Sequence, residues 1–121
     1  MPEEKSTVPF NFDELALVGR VEDTKEKITG YKIKMHTLNS DENLEVLKRT
    51  SVLDDVVAKY DILRRANLIY SIISINDEKL SLEQCEKIVY GLQKATLDVI
   101  YEGFEELTAQ QQKILDELKK N

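Results

Sequence analysis

Catalysis needs nucleophiles, acids, bases or metal ligands gathered at one point, and this chain is sparing with such residues. It has one histidine, His36, and one cysteine, Cys85. A lone cysteine excludes an internal disulfide, and together the two cannot complete a zinc site without ligands from other chains. His36 lies in an alternating segment and has no nucleophile elbow of the Gly-x-Ser-x-Gly type to serve. Cys85 falls early in a predicted helix, where the dipole favours a thiolate; the competing reading is a small buried hydrophobe. The carboxylates come as neighbours, Asp54-Asp55, Asp77-Glu78 and Glu105-Glu106, which on a helix point about 100° apart and so do not face one substrate. Lys48-Arg49 and Arg64-Arg65 are the basic pairs, with Glu45, Asp54, Asp55 and Asp61 as ordinary ion-pair partners at or near helical spacing. The chain contains no glycine-rich phosphate loop, no His-Glu-x-x-His and no acidic calcium loop. The expectation is a non-enzyme with no catalytic residue, no metal ligand and no cofactor.

The 121 residues include 17 Lys and Arg against 23 Asp and Glu, a net charge of −6, with 41% apolar residues. That composition suits one soluble domain, which at this size hides about two-thirds of its unfolded-chain surface and needs no staple. The acidic balance disfavours a surface devoted to phosphates, whose affinity rests on clustered Lys and Arg. No uninterrupted apolar run reaches membrane-spanning length, and Met1-Pro2-Glu3-Glu4-Lys5 is too polar for a signal or transit peptide, so no membrane association is expected.

These residues are positioned by a hairpin and a series of helices. Residues 1–17 read as an extended N-terminal arm: both prolines, Pro2 and Pro9, precede Phe10, Phe12, Leu15 and Leu17, which supply apolar anchors. Residues 18–121 read as a single domain, a β-hairpin over 18–38 and a helical region over 39–119. Within the hairpin Tyr31, Ile33 and Met35 alternate with Lys32, Lys34 and His36, and Thr29-Gly30 forms the turn. Lys25, Lys27, Lys32 and Lys34 would protect an exposed edge. Asn39 with Glu42, Ser51 with Asp54, and Ser81 with Gln84 resemble helix starts. They predict a short helix near 41–50 with Leu44 and Leu47 inward, and a central helix over about 52–74 burying Leu53, Val56, Val57, Tyr60, Leu63, Leu68, Ile69, Ile72 and Ile73. A third helix is predicted over about 82–91, stopped by Gly91 in a left-handed conformation, and a fourth from about 94 to 118. The fold class expected is α+β, mostly α: an N-terminal hairpin followed by three to four helices, the last of them projecting.

Two features then stand out as protein-binding. In the last turns Ile114, Leu115 and Leu118 form an apolar strip with no evident counterpart in the chain, as in a helix that docks in a groove or self-associates. The arm is the other. Both can instead close over the domain's own core.

The order of elements also resembles a known group. The stretch Gly30-Tyr31-Lys32-Ile33-Lys34-Met35-His36-Thr37-Leu38, the helix start at Ser40 to Glu45, and Ala66-Asn67-Leu68-Ile69-Tyr70-Ser71-Ile72-Ile73-Ser74-Ile75-Asn76 carry the likeness. So do Leu80 and Leu97-Asp98-Val99-Ile100-Tyr101-Glu102-Gly103-Phe104-Glu105-Glu106-Leu107. This pattern is similar to the small tail-assembly and baseplate proteins of tailed phages, nearest to the baseplate-hub assembly family of T4-like contractile-tailed phages. It spans about residues 20–110 and contains no chemical motif. Asn76-Asp77 stands where the pattern leads one to expect a glycine, and the chain after Thr108 is longer than the pattern requires.

The resemblance implies a non-enzymatic protein bound to other tail or baseplate proteins, such as hub or tape-measure segments. It would serve as an assembly chaperone in the host cytoplasm or as a subunit retained in the virion tail. Contact through the arm, the hairpin and the apolar helix faces would involve Phe10, Phe12, Leu15, Leu17, Tyr31, Ile33, Ile114, Leu115 and Leu118, with self-association as a further possibility. The alternative is a helical nucleic-acid-binding regulator using Arg64-Arg65 and the hairpin lysines.

Overall fold

A computed structural model describes residues 9–119; the first eight residues of the expected arm lie outside that range. The chain is α+β, mostly α. The elements are α1 (Phe12–Leu17), β1 (Glu22–Ile28), β2 (Tyr31–His36), α2 (Ser40–Thr50), α3 (Val56–Ser71), β3 (Ile72–Ile75), β4 (Glu78–Lys79), α4 (Leu82–Gly91) and α5 (Lys94–Lys119).

The arm is not extended throughout, because residues 12–17 are helical. Asn11 caps that turn, its side chain accepting from the Glu14 amide at 3.0 Å, with Asp13 and Glu14 in the favourable first turn. The chain leaves α1 through Gly19, whose φ of +85° is open to glycine without strain.

The predicted hairpin is present, and it is half of a sheet. The four strands form an antiparallel meander in the order β1-β2-β3-β4, so β2 is an interior strand whose second edge is taken by β3. The central helix expected to run to about residue 74 ends at Ser71, and the next four residues pair with β2, Ile33 opposite Ile75 and Lys34 opposite Ser74. Asn76 and Asp77, at φ of 51° and 67°, make the two-residue turn into β4. Successive positive φ angles give a hairpin turn whose twist matches its strands, and Asn and Asp tolerate them best after glycine. Asn76 also ties the two hairpins together: its Oδ1 accepts from the Lys32 amide at 2.8 Å and its Nδ2 donates to the Gly30 carbonyl at 3.1 Å.

One layer of helices covers one face of this sheet. Ile33 and Met35 join Leu68, Ile69, Cys85, Val89, Leu97, Ile100, Phe104 and Leu107 in a single core. α5 approaches the sheet closely at Gly103, where a methyl group in place of the glycine hydrogen would lie 2.9 Å from Met35 Cε. Lys25 and Lys27 of β1 reach over α5 to Glu106, and Lys27 also to Glu102. Their stems cover apolar surface while their ammonium groups hold Glu106 below its ordinary pKa, Lys27 most strongly. These two lysines therefore anchor the edge strand to α5, and Lys32 and Lys34 lie on an interior strand rather than at an edge.

Local signals account for the helix starts that hold. Asn39 with Glu42 and Ser81 with Gln84 form complete capping boxes. Ser51 does not start a helix; it ends α2, and Asp55 caps α3 by accepting from the Ala58 amide at 3.1 Å. Gly91 stays within the last turn of α4, and the positive-φ glycines are Gly19 and Gly30.

Candidate partner-docking surfaces

The groups considered for chemistry are used within the fold. His36, expected opposite the buried face of its strand, is itself buried; its Nδ1 bonds the Thr37 carbonyl at 2.7 Å and its Nε2 lies 3.6 Å from Glu42 of α2. Cys85 is buried among Ile72, Val89 and their neighbours, and burial pushes its thiol pKa up, away from the reactive thiolate. Its Sγ donates to the Ile72 carbonyl at 3.5 Å.

The basic pairs brace helices. Arg49 bonds Glu86 at 2.8 Å and Tyr70 Oη at 3.3 Å, joining α2 to α4 and α3. Arg64 is buried, bonded to Asp98 of α5 and placed between the rings of Tyr60 and Tyr101; the guanidinium holds the Asp98 carboxyl below its usual range. Arg65 donates to Asp61 at 2.8 Å and to the Val89 carbonyl at 3.1 Å. Among the described residues, no three His, Cys, Asp or Glu side chains are grouped to hold a metal ion, and no helix is long and apolar enough to cross a membrane.

Large apolar side chains in contact with water are a different matter. Phe10, Phe12, Leu15 and Leu17 are all more than half exposed, and the rings of Phe10 and Phe12 meet edge to face at 4.4 Å. Helix α1 thus buries none of its residues. On α5, burial in the core stops at Leu107; Ile114 and Leu118 are 37% and 52% exposed. Leu115, expected to be unpartnered, packs on Gly19, where an added Cβ would lie 3.1 Å from its side chain, and Gln111 Nε2 donates to the Gly19 carbonyl at 3.1 Å. These contacts tie the connection between α1 and β1 to the end of α5.

Ile33, expected as a contact residue, is 4% exposed and belongs to the core, where it lines the floor of an open cleft. Tyr31, two positions earlier, remains exposed at the hairpin end. There it borders an open apolar cleft of ≈ 650 Å³ between the sheet and the α4–α5 junction, with Ile28, Ile75, Leu80, Ile88 and Leu92 along its walls. A second, polar cleft of ≈ 430 Å³ is lined by Asn39, Asn43, Asn67, Thr108 and Gln111 among others.

Periodicity points inward at residues that form the most exposed apolar surface outside α1. Leu44 and Leu47 of α2 are about half exposed, and Val56, Val57 and Tyr60 at the start of α3 more so, with Val52 between them at 81%. The covered face of α2 is instead Glu42, Val46, Arg49 and Thr50, one position away from the leucine stripe. Arg49 lies on this covered face, bonded to Glu86 and Tyr70. The signal in the sequence is that Val46 and Arg49 share a face that Leu44 and Leu47 do not.

Compared with known protein families, curated proteins and solved structures, the chain matches none.

Proposed function

We propose that this chain is a non-enzymatic phage tail or baseplate protein that binds other tail proteins, as a structural subunit or an assembly chaperone. One observation carries the binding part of the reading: outside the core, α1, the end of α5 and the α2–α3 corner still hold large apolar side chains in water. Isolated exposed leucines are unremarkable, but clustered ones mark association sites. The pattern resemblance over residues 20–110 directs the reading to contractile tails. At the α2–α3 corner Leu44, Leu47, Val56, Val57 and Tyr60 offer a surface for an amphipathic helix or a strand-poor segment of a tail protein, which gains by removing these side chains from water.

The test is capture of the tagged full chain from phage-infected cells at low and high salt, with bound proteins identified by mass spectrometry. Tail proteins retained or enriched at high salt support the reading, since apolar docking strengthens as salt rises. Recovery of nucleic acid that is lost steeply with salt would instead establish the regulator alternative.

A further inference from the structure

We infer that the apolar cleft between the sheet and the α4–α5 junction binds a small amphiphile with an alkyl body and one cationic head. This goes beyond the proposed function and does not depend on it.

The cleft is where the core opens instead of closing. Its floor is Ile33, Ile72 and Ile100, all buried, and isoleucine and leucine side chains of the sheet, the β4–α4 connection and α4 form its walls. At ≈ 650 Å³ it falls within the range of about 300–1,000 Å³ found for small-ligand clefts. Both walls are fixed by the fold itself. Asn76 bonds the two hairpins to each other on one side, and the capping box at Ser81 sets the start of α4 on the other.

The lining is nearly all apolar. Asn76 spends both ends of its side chain on the hairpins, and Thr96 adds a single hydroxyl. The body of a ligand must therefore be apolar, because polar groups entering the cleft would leave water without gaining partners.

Charge then selects the head. Glu78 is the one charged residue of the lining; it is exposed, and its side chain forms no ion pair or hydrogen bond among the described residues. The lysines of the bordering elements are engaged or placed elsewhere. Lys25 and Lys27 bind Glu106 and Glu102 of α5, and Lys94 pairs with Asp98. Lys32, Lys34 and Lys79 alternate with the cleft-side residues of their strands and so occupy the opposite sheet face. Lys87 of α4 lies outside the lining. Tyr31, 54% exposed at the rim, adds an aromatic ring, whose face attracts a cation. A carboxylate head would meet an acid and no base, whereas an ammonium head meets both attractive groups.

NMR titration of the isotope-labelled full chain tests this, with hexyl-, octyl- and decylammonium, decanol and decanoate as probes below their micelle concentrations. Saturable shifts should centre on the amides of residues 28–33, 75–80 and 88–100. Each pair of added methylenes should tighten binding, by up to about fourfold per methylene buried. Decylammonium should bind about tenfold tighter than decanoate, with decanol between them, since Glu78 attracts one head and repels the other. Glu78→Gln, at an exposed site, should keep the fold and the decanol affinity and lose most of the preference for ammonium. Shifts that do not saturate, shifts centred on α1 or the α2–α3 corner, decanol or decanoate binding as tightly as decylammonium, or a preference that survives Glu78→Gln would each overturn the inference. So would displacement of bound octylammonium by a captured tail protein, which would give the cleft to a partner's side chains. Capture of tail proteins by a chain that binds no amphiphile refutes this inference alone; amphiphile binding by a chain that captures none refutes the proposed function alone.

Discussion

Leu107→Ala and Leu118→Ala make the same chemical change eleven positions apart on one face of one helix, and the structure assigns them opposite costs. Leu107 is 0% exposed and belongs to the core shared with Phe104 and Leu97; Leu118 is 52% exposed beyond it. Removing three buried carbons costs the transfer free energy and leaves a cavity, about 3 kcal/mol within a range of 2–5. The same truncation at a half-exposed helix end costs no more than about 0.5 kcal/mol. Against a domain stability of about 5–15 kcal/mol, the first change is a large loss and the second is close to the error of measurement. Urea unfolding followed by circular dichroism resolves them, run near 1 µM so that association contributes little to either value. The Leu107→Ala midpoint should fall well below wild type with an unchanged slope, and Leu118→Ala should overlay wild type. Losses of similar size would mean that the end of α5 is sealed inside the domain, and the apolar surface on which the account rests would not exist.

Three further outcomes are expected. Asp98 and Glu106 have depressed pKa values, caused first by Arg64 and by Lys27 respectively; their stabilisation is complete above the unfolded carboxylate pKa of about 4 and is lost as pH falls through the lower folded values. Acid unfolding of Asp98→Asn and Glu106→Gln should therefore show a shallower decline below about pH 4 than wild type. Asp77→Gly should raise stability by about 0.5 kcal/mol in thermal or urea unfolding, because glycine adopts the φ of 67° without the steric cost; a loss would mean that the Asp77 side chain does more than occupy the turn. Gly103→Leu should destabilise by about 2 kcal/mol or more, since the added side chain begins 2.9 Å from the fully buried Met35 and 3.3 Å from Lys25; an unaffected midpoint would show that α5 can move off the sheet freely.

What can be read from the sequence is what short-range interactions decide. The capping boxes at Asn39 and Ser81, the Thr29-Gly30 turn and the α5 stripe from Leu97 to Leu107 each depend on residues a few positions apart, and each is present. Asn11 with Glu14 carries the same type of capping signal, masked by the neighbouring prolines, and it starts α1. Ile72-Ile73-Ser74-Ile75 continues an apolar helix pattern and becomes a strand only because β2 offers an edge forty residues away, a preference that period alone does not contain. The leucines of α2 show a related limit. Periodicity identifies an apolar stripe but not what covers it, and here Val46 is buried on the face where Arg49 bonds Glu86, while Leu44 and Leu47 face out. The exposure of Phe10, Phe12, Leu15, Leu17, Ile114 and Leu118 is legible because these apolar side chains lie where the predicted domain has no cover for them. The α2–α3 corner is not, because a helical stripe beside other helices implies a cover that this fold does not supply.

The claim that this protein works through apolar surface left over after folding is tested most directly at the α2–α3 corner, by comparing wild type with Leu47→Glu and Val57→Glu together. Both sites are exposed, so the variant should unfold at the wild-type midpoint. Quantitative capture from phage-infected cells should then recover tail proteins with wild type and lose them with the variant. Equal recovery by both proteins, or recovery of no tail protein by either, would contradict the account.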